Sequence, residues 1–303
     1  MSLTISNETK KINKEPLILK NVPLAPLSSF GTGGAADYLA TPTTFPELKE
    51  ALLWAHEGSL PVTPLGGGTN VLISDRGVEG LVIVTTALTN HYVEETLFVA
   101  QAGLAVDSAI DLMVDYSLAG LEPLGGLPGS LGGALYGNAS ANGVSLAPFV
   151  EWVDYLNYQG EVCRYHYNSD DFAYKRSPFT NTEVLLWEIA LRLNHTDDPS
   201  QMQIVVEESR AKRKAKGQYT YPSAGCIFKN PAQGSAGYYI DQAGFKGKTL
   251  KGAQVSPFHA NFVIKEGQTT SEAIYELSCL MAQGVYEHFG ITLEREIKLI
   301  GRW

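Results

Sequence analysis

Apolar residues recur along this chain with two periods, and the switches between them mark out its elements. Residues 43–56 carry Leu48, Ala51, Leu52 and Ala55 at i, i+3, i+4 and i+7, with Pro46 in the first turn, and predict a helix. Residues 106–117 repeat the pattern through Val106, Ala109, Ile110, Met113 and Val114, with Gly120 as the stop. A third helix is expected over about 200–216; its closing Lys212, Arg213, Lys214 and Lys216 suit the negative end of a helix dipole. The longest stripe lies in 269–289, where Thr269 and Glu272 have capping-box spacing and Gly290 ends the run. Strand-like runs occupy 60–86, 97–103 and 184–193, and 149–158 with 161–167 reads as a hairpin about Gln159-Gly160. The mixture is α+β, with a domain boundary expected near 194–200, where polarity rises.

One stretch follows neither period. Residues 124–143, LGGLPGSLGGALYGNASANG, hold seven glycines in twenty positions. Each weakens a helix or strand by roughly 0.5–1 kcal/mol against alanine, so such density is kept where backbone must approach something closely. A flexible linker would surround its glycines with serine, proline and charge. Here Leu124, Leu127, Leu131, Ala134, Leu135 and Tyr136 interleave them, which anchors the stretch in a core and points to a loop that cradles a ligand. A second glycine turn stands about 60 residues earlier in PLGGGTNVLISD, with Gly66, Gly67 and Gly68 followed by Thr69 and Asn70. Successive backbone N–H groups in such a turn form a nest for a diphosphate. Neither an NTPase phosphate loop nor a GxGxxG opening a helix is present, so the two turns read as two walls around one large dinucleotide.

Composition narrows the ligand. The 303 residues are 44% hydrophobic and 18% charged, with net charge −9, which disfavours a nucleic-acid partner and requires a local basic cluster to meet any anion. Three widely spaced cysteines, Cys163, Cys226 and Cys279, form neither a disulfide framework nor a metal site; six scattered histidines add no ligand spacing, so no metal is expected. No run approaches the 18 or so apolar residues of a membrane span, and a cytoplasmic protein is expected, with a loose tail over 1–20.

Seven segments occur in an order and spacing that resemble one family: PLGGGTNVLISDRGVEGLVI, GLPGSLGGALYGNASANG, FAYKRSPF, YPSAGCIFKNP, IDQAGFKG, GAQVSPFHANFVI and LEREIKLIG. The set looks like the UDP-N-acetylmuramate dehydrogenase (UDP-N-acetylenolpyruvoylglucosamine reductase, MurB) family, over about 24–301. The resemblance implies non-covalent FAD in a two-subdomain cradle of the vanillyl-alcohol-oxidase/p-cresol-methylhydroxylase type, spanning 21–198 and split near 88. It also implies a C-terminal α+β domain, 199–303, that binds a UDP-sugar and whose last strand returns to the active site. NADPH would reduce the flavin, and the flavin an enolpyruvyl ether, in a monomer. The short run from Arg176 to Cys226 resembles the branch without an inserted substrate loop. Cofactor contacts would come from Gly66, Gly67, Gly68, Thr69 and Asn70, and from Gly125, Pro128, Gly129, Gly132, Gly133 and Asn138.

A hydride arriving at a methylene carbon leaves negative charge on its neighbour, so the site needs cations and a positioned acid. The family supplies an arginine after a tyrosine, a serine proton donor and a glutamate. By position the glutamate is Glu296; Glu294 would share its strand face. The serine position holds Cys226, whose thiol, with pKa near 8.5, is the stronger acid. The arginine position is the departure. Tyr174-Lys175-Arg176-Ser177 puts Lys175 in its place, and lysine lacks the planar fork that suits a carboxylate. Position favours Lys175 and chemistry favours Arg176. Tyr174, Lys216, Lys229, Asn230, His259 and Asn261 are candidates for the UDP-sugar, and Cys163 and Cys279 are expected only to pack. Two other readings stay open: another FAD-dependent oxidase on the same cradle, and a catalytically impaired UDP-sugar-binding flavoprotein.

Overall fold

A computed structural model describes residues 17–303. The tail expected over 1–20 lies outside the described residues up to residue 16, and Leu19–Pro23 is already a strand. That strand, β1, begins a sheet with β2 (Ala35–Ala40), β3 (Val62–Leu65) and β5 (Val78–Val84) in the order β1-β2-β5-β3; β4 (Val71–Ile73) lies apart. Strand β5 runs parallel to both neighbours, and its Leu81–Val84 segment is buried throughout, as parallel strands covered on both faces require. Helix α1 (Phe45–Glu57) buries Leu48, Ala51, Leu52 and Ala55, the four positions its spacing predicts.

A second sheet is antiparallel throughout. Its order is Val162–His166, Val150–Asn157, Val184–Arg192, β7 (Leu97–Gln101) and β6 (His91–Glu94). Helix α2 (Val106–Asp115) buries the predicted stripe but stops before Gly120, because Ser117 already turns left-handed at φ +56° and a two-residue strand follows. The glycine-rich stretch is not all loop: Ser130 accepts the N–H of Gly133 and caps a short helix, α3 (Leu131–Tyr136). Helix α4 (Pro199–Ala215) packs back onto this unit. Met202 and Val206 enter the core formed by α2 and the glycine stretch, and Arg210 bridges to Asp107 at 2.9 Å and Asp111 at 2.7 Å.

The remaining chain forms α5 (Ala236–Gln242), a three-stranded antiparallel sheet and α6 (Ser271–Phe289). Thr270, one residue later than the spacing predicts, caps α6 through the N–H of Ala273, while Thr269 donates to the Lys251 carbonyl. The reason is Asp75, after β4, whose carboxylate accepts the N–H groups of Ser271 and Glu272 and so replaces a capping box with a long-range cap. The last strand, Lys298–Ile300, pairs in parallel with β4. Thus the C-terminal segment is tied twice to the region around the first glycine turn. Among the described residues, no helix is long and apolar enough to cross a membrane.

Candidate active site

Residues from nearly the whole described chain line a cavity of about 1030 Å³. Small-molecule sites commonly span roughly 300–1,000 Å³. One wall is glycine, and the two turns that form it touch each other. A Cβ on Gly67 would lie 3.0 Å from Gly129 Cα, one on Gly129 would lie 2.6 Å from Thr69 Oγ1, and one on Gly66 would collide with Ser130 Oγ. Gly68, Asn70, Pro128, Gly132 and Gly133 complete this part of the wall. Two expected cofactor residues stand behind it: the Gly125 carbonyl accepts Arg213 Nε at 3.0 Å, and buried Asn138 donates Nδ2 to the Ala173 carbonyl at 2.9 Å.

The charge of the wall opposes that of the chain. Among the described residues, Lys175, Lys212, Arg213, Lys216 and Lys298 line the cavity against one carboxylate, Glu296, whereas the whole chain carries −9. The basic run at the end of α4 therefore does more than complement a helix dipole: three of its four cations face the cavity. Such a surface favours anionic ligands.

Cys226 and Glu296 reach the same wall through a short ladder. The segment holding Cys226 pairs on one side with residues 261–262: Ile227 N donates to Asn261 O at 2.8 Å, and Phe228 N to Asn261 Oδ1 at 3.0 Å. On its other side, Glu296 N donates to Ile227 O at 2.8 Å and Lys229 N to Glu294 O at 2.9 Å. Glu294 and Glu296 do not share a strand face, because the chain is irregular here. Glu294 points to solvent and pairs with Lys229 at 2.6 Å, while Glu296 turns inward.

The cation facing Glu296 is Lys175. Ala173 and Arg176 exchange both backbone hydrogen bonds at 3.1 Å, which closes a tight turn with Tyr174 and Lys175 at its tip. Lys175 adopts φ +56°, uncommon for a non-glycine residue, and its Nζ lies 2.7 Å from Glu296 Oε1. Arg176 is absent from the cavity lining. The turn thus presents Lys175, the residue favoured by position, to the cavity.

Cys226 is half-buried in the cavity wall, and that burial pushes its thiol up to about 12; Glu296 adds to the rise and Lys175 opposes it. The group is thus a protonated thiol at neutral pH, within the field of both the carboxylate and the cation. His259 also lines the cavity; burial first, then Lys216, lowers its pKa, and its Nδ1 accepts the Asn261 N–H at 3.2 Å. The other substrate candidates divide. Lys216 lines the cavity, whereas Tyr174, Lys229 and Asn230 do not: the Tyr174 hydroxyl accepts the Asn230 N–H, and Asn230 Oδ1 accepts the Ala236 N–H at the start of α5. Asn261 is 2% exposed, and both ends of its amide are engaged by the Phe228 backbone, so it braces the Cys226 segment. Ser130, Gln218, Tyr219 and Lys298 line the cavity without having been singled out. Lys298 follows Glu296 at the two-residue spacing of a strand face, a signal the sequence does contain.

The glycine turns meet in a single wall, not the two walls expected from their separation in sequence; that wall, the volume and the excess of cations fit a flavin dinucleotide, and they define a flavoenzyme. The comparisons agree. An FAD-binding-domain profile matches residues 36–166, and the profile of the UDP-N-acetylenolpyruvoylglucosamine reductase C-terminal domain matches 217–300. UDP-N-acetylenolpyruvoylglucosamine reductases of Synechococcus sp. (strain JA-3-3Ab) and Chlamydia pneumoniae are 36% and 34% identical, over 94% and 93% of this chain and 91% and 92% of theirs. The crystal structure of the MurB enzyme of Thermus caldophilus is 29% identical and superposes with a TM-score of 0.78, covering 93% of this chain and 98% of that one. The chain belongs to the UDP-N-acetylenolpyruvoylglucosamine reductase family.

Proposed function

We propose that the chain reduces UDP-N-acetylglucosamine enolpyruvate to UDP-N-acetylmuramate, a step in peptidoglycan precursor synthesis, with FAD as non-covalent cofactor and NADPH as reductant. The observation that carries this reading is the trio Cys226, Glu296 and Lys175 gathered on one wall of a glycine-lined, cation-rich cavity. Gly66–Asn70 and Pro128–Gly133 would hold the FAD. Bound there, FAD supplies hydride transfer from NADPH to the enolpyruvyl group.

The residues supply the rest. Lys175 places positive charge where the substrate carboxylate gains electron density. Cys226 donates its Sγ proton to the adjacent carbon, and Lys175 stabilises the thiolate that remains. Glu296 holds Lys175 Nζ in place and keeps the thiol protonated until it is used. Lys216 and His259, which line the cavity, would meet the UDP portion; Asn138 and Asn261 brace the segments carrying Lys175 and Cys226. Three unpaired cysteines suit a reducing cytoplasm.

The test is the visible spectrum of the anaerobic protein. Bound-flavin absorbance should bleach with NADPH and return on adding the UDP-enolpyruvyl sugar. Bleaching without return would reject this substrate, and absence of flavin from the folded protein would reject the cradle.

A further inference from the structure

Among the described residues, two buried side-chain polar atoms lack a partner, Asn138 Oδ1 and Arg213 Nη2. The second is the more costly, because it belongs to a charge. Arg213 lies in the last turn of α4 and is 8% exposed. Its Nε donates to Gly125 O at 3.0 Å and its Nη1 to Gln218 Oε1 at 3.3 Å. No carboxylate among the described residues pairs with it; Asp107, the acid whose field reaches it, is engaged by Arg210. A buried cation without a counter-charge is strongly unfavourable, and the terminal dipole of one helix returns only a fraction of that cost.

The surrounding loop is built to keep this arginine where it is. The Gly126 N–H donates to Asp107 Oδ1 at 2.5 Å, and the Tyr219 hydroxyl donates to the Gly126 carbonyl. A Cβ on Gly126 would come within 2.8 Å of the Tyr219 oxygen and 3.1 Å of Arg213 Cδ. Arg213, Gln218 and Tyr219 all line the cavity. We infer that Arg213 Nη2 binds a phosphate oxyanion of a cavity ligand, and that the same guanidinium fastens that oxyanion to the glycine stretch through the Gly125 carbonyl. This rests on the function proposed above, in which FAD, the UDP-sugar and NADPH each carry a diphosphate. The basic run at the end of α4 thereby gains a second role: its buried member joins ligand binding to the cofactor wall.

The experiment compares Arg213→Met with the unaltered protein. The dissociation constant of FAD is measured on the apoprotein, then KM for the UDP-enolpyruvyl sugar and for NADPH at saturating FAD. A rise of tenfold or more in the FAD constant alone supports the assignment and identifies the flavin's phosphates. The same rise in either KM, with FAD binding unchanged, supports it and identifies the substrate side. All three constants within twofold of the unaltered protein would overturn it, leaving Nη2 to a buried water. Should Arg213→Met not fold, Arg213→Lys replaces it, since lysine keeps the charge but cannot span the Gly125 carbonyl and an oxyanion together; three unchanged constants would again overturn the proposal. Failure of the unaltered protein to bind FAD would strike the proposed function itself, a result separable from any effect of Arg213.

Discussion

Two lysine–glutamate pairs meet the same short segment of chain. Lys229 and Glu294 approach to 2.6 Å, and Lys175 and Glu296 to 2.7 Å. Distance does not distinguish them; surroundings do. The Glu294 side chain is 74% exposed, whereas those of Lys175 and Glu296 are 17% and 16% exposed and face the cavity. Exposed pairs contribute about 0–1 kcal/mol, because water screens the attraction and ordering the side chains costs entropy. Against a low-dielectric wall the same charges act on whatever lies beside them, and here that is the Cys226 thiol. The proposed chemistry therefore rests on the inward pair and not on the outward one.

Removing the inward groups should give the largest effects. Glu296→Gln and Cys226→Ala are each expected to lower kcat by about 10²–10⁴ with FAD still bound, as loss of a positioned acid–base group does. Glu294→Gln should stay within about twofold of the unaltered enzyme, as expected for an exposed pair. Steady-state turnover together with flavin content checks all three. An equal loss in Glu294→Gln would break the comparison. Lys175→Ala comes next, with a loss of about 10²–10³ for one electrostatic donor. Arg176→Ala should change turnover by no more than a few-fold, and the reverse order would return the role to Arg176.

How much of this was legible in the sequence follows the range of the interactions. Helices α1 and α2 could be read because their stripes are local, and α1 and α2 bury the residues their spacing names. The cap of α6 could not, since Asp75 lies nearly 200 positions from the N–H groups it serves. Both glycine turns announced a wall. That they press on each other, Gly67 against Gly129, is set by the tertiary fold and leaves no local signal. Position singled out Cys226 and Glu296, but Lys175 and Arg176 could not be separated, because a left-handed residue at a turn tip leaves no periodic trace. Asn138 and Asn261 look alike in sequence, but the Phe228 backbone engages both ends of the Asn261 amide, whereas Asn138 donates Nδ2 to the Ala173 carbonyl and leaves its Oδ1 without a partner in the described chain, a difference that only tertiary contacts carry.

Asn261→Ala sharpens the comparison from behind the wall. It removes two buried hydrogen bonds to Phe228, and loss of a buried partner costs roughly 1–3 kcal/mol. The urea midpoint should fall accordingly, and turnover should fall with it, because the Cys226 segment loses its brace. A lowered midpoint with unchanged turnover would mean that the ladder holds the fold and not the donor.

The smallest effect tests the donor with no substrate present. The Cys226 thiol is pushed up to about 12 in the folded protein, whereas in an unfolded chain it titrates near 8.5. Between those values the unfolded state has released a proton that the folded state retains. The unfolded state then binds fewer protons, so stability falls as pH rises through this window. Cys226→Ser carries a hydroxyl that does not titrate there and should show a shallower decline. Cys163 and Cys279 are present in both proteins, so their contributions cancel in the comparison. Urea midpoints from about pH 8 to about pH 10.5 measure it, a span chosen to start near the free thiol value. Parallel slopes would mean that the site does not hold the thiol protonated, and the inward Lys175–Glu296 pair would then have to act on substrate without Cys226 as its acid.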